Sequence, residues 1–124
     1  DTSMTVWFLI AGSILSFVGM TFHGVVGQKK LMGNVYKSDM ESLTKSLILV
    51  SWHVYTIFLF ISGVTLLYVA YFPDLYLAIY PVIGVNALGA ALFIFLGLGN
   101  HKALLTMPGV YLMGGTALLA WMGI

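Results

Sequence analysis

Four stretches of almost unbroken apolar sequence divide the chain, at about residues 5–27, 43–71, 75–99 and 104–124. Each is near the roughly 20 residues needed to cross the hydrocarbon core of a bilayer. They are apolar on every face rather than at alternate positions, so the pattern predicts transmembrane helices and not the strands of a barrel. Between them lie a polar link at 28–42, a short one around Pro73, and another at 100–103. The pattern predicts one domain over residues 1–124, an all-α integral membrane protein built as an antiparallel four-helix transmembrane bundle.

The polar and small residues inside these runs refine the picture. Ser38-Asp39-Met40-Glu41 reads as a capping box, with Ser38 bonding the amide of Glu41 and Glu41 reaching back, so the second helix is expected to start at Asp39. Tyr68, Tyr71, Phe72, Tyr76 and Tyr80 gather around Pro73 as an aromatic belt would, and Pro81 is expected to part an interfacial turn from the third span. Gly97, Gly99 and Asn100 suit a left-handed cap, and Pro108 suits a first helical turn. Gly12, Ser16, Gly19, Gly84, Gly89, Gly114 and Gly115 provide small faces for close helix approach. Phe22-His23-Gly24 with Gln28-Lys29-Lys30 faintly echoes Phe95-Leu96-Gly97 with Asn100-His101-Lys102, which would suit two repeated hairpins.

Charge sets the orientation. All five lysines fall in or just beside the first and third links, Lys29, Lys30, Lys37, Lys45 and Lys102, whereas the second link carries only Asp74. The positive-inside rule then puts the lysine links in the cytoplasm and both termini on the outer, periplasmic side of an inner (cell) membrane, as a multi-pass protein. The first run has no basic leader or A-x-A site and is expected to be a retained span rather than a signal peptide.

Composition narrows the chemistry. Only 7% of the 124 residues are charged and the mean hydropathy is +1.03, against about 25% charged in soluble domains, so no water-soluble surface can be built. With no cysteine, disulfides, thiolate zinc and iron–sulfur clusters are excluded. A net charge of +1 gives no footprint for nucleic acid. No Ser-His-Asp set, phosphate loop or HExxH sequence occurs, and no catalytic residue is assigned. No carboxylate lies within a span, which argues against proton-coupled multidrug export.

The candidate chemistry is histidine. His53 sits in the stretch 47–70, which holds no Asp, Glu, Lys or Arg, and an imidazole in hydrocarbon needs partners for its ring nitrogens. His23 lies near the end of the first run, at a comparable depth when counted at about 1.5 Å per residue. Four readings stay open. The two histidines can act as hydrogen-bonding glue between helices. They can clamp haem b axially, with Lys29, Lys30 or Lys45 near its propionates. With Met20 they can form a soft copper site, helped by Met107 or Met113. Or His53, Trp52 and Thr56 can line a pocket for a quinone, a lipid or another small molecule. The default is no cofactor. Trp52 alone reads as an interfacial anchor, Asp39 and Glu41 as helix-end residues, and His101 as part of a helix cap.

Phe22-His23-Gly24, Trp52-His53 and the run Pro108-Gly109, Gly114-Gly115 and Trp121 resemble a pattern found in small four-helix bacterial membrane proteins of a domain-of-unknown-function family with a mitochondrial relative. In that family the first helix ends in Ala-His-Gly; here Phe22 replaces the small residue, and Trp121 is displaced from its glycine. The resemblance implies a four-helix fold and no particular reaction. The sequence therefore leads to a non-catalytic accessory or structural subunit of a larger membrane complex. It would be embedded in the lipid bilayer and meet other subunits, or itself, through small-residue faces. The alternatives are a haem-, metal- or quinone-binding redox protein using His23 and His53, and a small transporter or channel.

Overall fold

In the computed structural model, which describes residues 2–124 and side chains from residue 4, the chain is 91% helical with no strand among the described residues. Its elements are α1 (Thr2–Thr21), a π turn (Phe22–Gly27), α2 (Gln28–Lys37), α3 (Ser42–Tyr71), α4 (Ile79–Leu98) and α5 (Pro108–Met122). Two 3-10 turns, Pro73–Ala78 and Lys102–Thr106, precede α4 and α5. α1, the π turn and α2 run on as one helix, so the chain makes four helical rods.

Three of them are long and apolar enough to cross a membrane: Met4–Lys37, Ser42–Tyr71 and Pro73–Leu98. α5 has 15 residues and extends about 22 Å, less than the expected run 104–124. The cause is Pro108. It pushes Met107 into an extended conformation (φ −78°, ψ 135°), and the residues before it close as a 3-10 turn.

Several helix ends differ from expectation. The first helix does not stop at Gly27, which stays right-handed at φ −64°, ψ −38°. Glycine permits a break but nothing here forces one, and α2 gains burial of Met32 and Val35 by continuing. The non-helical link therefore shrinks to residues 38–41. The capping box does not form: the Ser38 hydroxyl donates to Val35 O (2.6 Å), so Ser38 closes α2, while Glu41 takes the cap position of α3 with no side-chain bond. α3 starts at Ser42 rather than Asp39. Pro81 falls in the first turn of α4, where a missing amide hydrogen costs nothing, so it does not part a turn from the span. No described residue has a positive φ, and the expected left-handed cap after α4 is absent; Gly99 sits at φ −90°, ψ −122°.

α1 packs along both α3 and α5, α4 packs along α5, and α3 touches α4 more sparingly. One core cluster joins Leu9, Leu66, Val69, Ile79, Val82 and Ala120, and a second joins Ala90, Val110 and Met113. Glycines open the closest approaches. A Cβ on Gly63 would stand 2.8 Å from the Phe17 ring, and one on Gly97 would stand 2.6 Å from Leu105. Outside the core the surface stays apolar: Trp7, Tyr71, Leu88, Phe95 and Leu98 are all more than two-thirds exposed or close to it. A surface of that kind is stable only in an apolar solvent.

Candidate functional site

Polar groups inside apolar helices are the places to look for chemistry, because each must find a partner or bear the cost of desolvation. Among the described residues five are buried: Ser13, Ser16, Ser62, Asn86 and Thr116. The hydroxyl of Ser13 donates to Gly63 O and that of Ser16 to Leu59 O, both at 2.7 Å, tying α1 to the main chain of α3. Thr116 donates within its own helix to Leu112 O (2.8 Å). Asn86 Nδ2 donates to Ser62 Oγ (3.2 Å) and to Val82 O (2.9 Å).

The same α1–α3 seam continues to His23, on the π turn. His23 Nε2 lies 2.8 Å from Trp52 O, and Trp52 Nε1 donates to His23 O, also at 2.8 Å. A carbonyl only accepts, so Nε2 carries the hydrogen and the neutral ring is the Nε2–H tautomer. The imidazole and indole stack at 3.8 Å between centroids and 11° between planes. The two residues thus form a reciprocal pair, each side chain bonding the other's main chain while their rings lie face to face. Gly27 makes room for it, since a Cβ there would stand 2.7 Å from Trp52 Cζ2. The π turn supplies the register. One extra residue per turn redirects the local carbonyls and side chains, an irregularity that concentrates at functional positions.

Tyr55 completes the cluster. Its ring stands 5.4 Å from that of His23, and its hydroxyl donates to Met113 Sδ, linking α3 to α5. Sequence reading missed Tyr55. The available signal was its place three residues after Trp52, on the same helical face.

The other expected site residues lie near the pair and make separate contacts. His53 is half-buried, and its Nδ1 lies 3.3 Å from Thr56 Oγ1, one turn along its own helix. Thr56 turns its methyl towards Gly24, where a Cβ would stand 3.1 Å away. Met20 is half-buried, and Met113 is taken up by Tyr55. Among the described residues no group of three or more His, Asp or Glu side chains could hold a metal ion. An iron clamp would need Nε2 of His23 free and an open approach to it, yet that nitrogen is bonded and one face of its ring is covered by indole. His101 is exposed, and its amide donates to Leu96 O (3.1 Å) beyond the end of α4.

Beside the pair runs a cleft of about 410 Å³ between α2 and α3. His23, Trp52 and Tyr55 form its inner wall.

Compared with known proteins, the chain matches no family model, no curated sequence and no solved structure.

Proposed function

We propose that this chain is a small multi-pass inner-membrane protein that works by association, as a non-catalytic accessory or structural subunit of a larger membrane complex. One observation carries the reading: the polar side chains of the α1–α3 seam are spent on the main chain of the opposite helix. Ser13, Ser16, His23 and Trp52 all bond in this way. A nucleophile or general base needs a group left free for substrate, and here the histidine at the centre is used to hold helices together.

The proposal includes an antiparallel bundle with lysine links in the cytoplasm and both termini outside. The contact pairs support the direction of the helices. Ser13 meets Gly63 and Ser16 meets Leu59, whereas His23 meets Trp52, so numbers fall along α3 as they rise along α1. α1 and α5 behave alike, with Gly12 beside Leu119 and Gly19 beside Leu112. The lysine distribution supports the orientation. Kinship with the four-helix family of unknown function belongs to the same proposal and rests on the His23, Trp52-His53 and Pro108-Gly109 motifs.

The test is native electrophoresis and mass analysis of the chain extracted from its own membranes in mild detergent. The expected result is a discrete assembly with fixed stoichiometry, colourless above the protein absorption bands. A Soret band lost in His23→Ala would replace this reading with the haem protein, and solute flux from a lone copy in liposomes would replace it with the transporter.

A further inference from the structure

The cleft between α2 and α3 has a use that the helix-locking role does not touch. Thr44, Leu47, Ile48, Ser51, Trp52 and Tyr55 line it from α3. Their spacing places them on one continuous helical face, about 16 Å long at 1.5 Å per residue. Leu31 closes the α2 side. The volume, about 410 Å³, lies in the range of small-molecule sites, roughly 300–1,000 Å³.

The cleft is mostly apolar, and lysines adjoin two of its lining residues in sequence. Three of its polar groups are already paired, His23 Nε2 and Trp52 Nε1 with each other's main chain and the Tyr55 hydroxyl with Met113. The lining is mostly apolar, with the Thr44 and Ser51 hydroxyls as its remaining polar groups, which suits a hydrocarbon chain. In sequence, Lys30 adjoins Leu31 and Lys45 adjoins Thr44. Lys45 Nζ donates to Tyr36 O (3.1 Å), which fixes it beside the link and leaves two of its three hydrogens for another acceptor. Lys29 and Lys30 are exposed. Over residues 28–46, Lys29, Lys30, Lys37 and Lys45 against Asp39 and Glu41 leave a formal charge of +2.

We propose that this cleft is a binding site for one anionic phospholipid of the bilayer, an acyl chain lying along the Thr44–Tyr55 face and the phosphate held by Lys30 and Lys45. Charge complementarity selects the occupant. A zwitterionic lipid has the same tail but brings its own cation to the lysines, and a hydrophobic partner helix has nothing for them to bind. The site stands apart from the subunit reading and is tested in symmetric vesicles, so neither orientation nor partner enters the result.

Trp52 is the built-in reporter. Trp7→Phe and Trp121→Phe, both at exposed positions, leave it the sole tryptophan of the full chain. This protein is reconstituted in phosphatidylcholine vesicles containing a minor fraction of either phosphatidylglycerol or phosphatidylcholine with brominated acyl chains. Bromine in the cleft quenches Trp52. The expected result is stronger quenching by the brominated phosphatidylglycerol, corresponding to about fivefold enrichment at the cleft. Lys30→Gln with Lys45→Gln brings the two lipids to parity while helicity by circular dichroism is unchanged. Ser51→Phe, which fills the cleft, lowers quenching by both. Equal quenching by the two lipids in the unaltered cleft overturns the proposal, and so does quenching by neither, which would mean that protein covers the cleft.

Discussion

At the scale of single residues, His23 and Trp52 carry more of the structure than any charged group. Truncating His23 to alanine removes one interhelical hydrogen bond and a stacked ring, and leaves Trp52 O with only the bond of its own helix. The expected cost is about 1–2 kcal/mol in a reversible unfolding measurement in bicelles. Trp52→Phe keeps a ring but loses the donor to His23 O, for about 1 kcal/mol in the same assay. Gly27→Val drives a side chain into the place of Trp52 Cζ2, and Trp52 emission is expected to shift red as the indole is displaced towards polar surroundings. What was legible at this scale was that an imidazole in an uncharged apolar run must have a partner. Which histidine and which partner were not legible. His53, the residue deepest in such a run, bonds along its own helix, whereas His23 makes the cross-helix pair with a main-chain carbonyl. Every residue has such a carbonyl, so sequence does not mark it.

At the scale of elements, α1 and α3 are stitched along their length by Ser13, Ser16 and the His23–Trp52 pair. Ser13→Ala with Ser16→Ala is expected to cost about 1–2 kcal/mol in total, from roughly 0.6 kcal/mol or a little more per bond, with helicity retained. The π turn sets the phase between the serine face and the histidine. Deleting Val25 should restore ordinary helical spacing through Phe22–Gly27, preserve helical content by circular dichroism, and separate His23 from Trp52, again seen as a red shift of Trp52 emission. The apolar runs were readable in the sequence because hydrocarbon demands them. Their ends were less so. Ser38 looked like the opening of α3 and closes α2 instead, because a serine followed by an acid suits either role and the choice depends on whether α2 has a face to bury. The π turn left no mark beyond two glycines, Gly24 and Gly27, whose need is to admit Thr56 and Trp52.

At the scale of the whole molecule, three membrane-length helices and a shorter α5 expose an apolar surface that only lipid or protein can cover. The lysine distribution then predicts that single cysteines placed near Lys37 and near Lys102 react with membrane-impermeant reagents only after the cell membrane is opened, while one near Asp74 reacts in intact cells. Labelling on the opposite sides would reverse the proposed orientation. Composition made the membrane-length apolar helices legible, because a charge content this low leaves long runs without a charged residue. It carried no information about partners, since a face suited to lipid is also suited to another helix.

The account turns on the histidine of the first helix being a lock between helices. A double-mutant cycle on His23→Phe and Trp52→Phe, read as unfolding free energy in bicelles, measures that directly. The lock predicts a cost of about 1 kcal/mol for each substitution and a nearly additive cost for the double variant, because each side chain bonds the other residue's main chain, which both substitutions leave in place. A cost indistinguishable from zero for either substitution would contradict it.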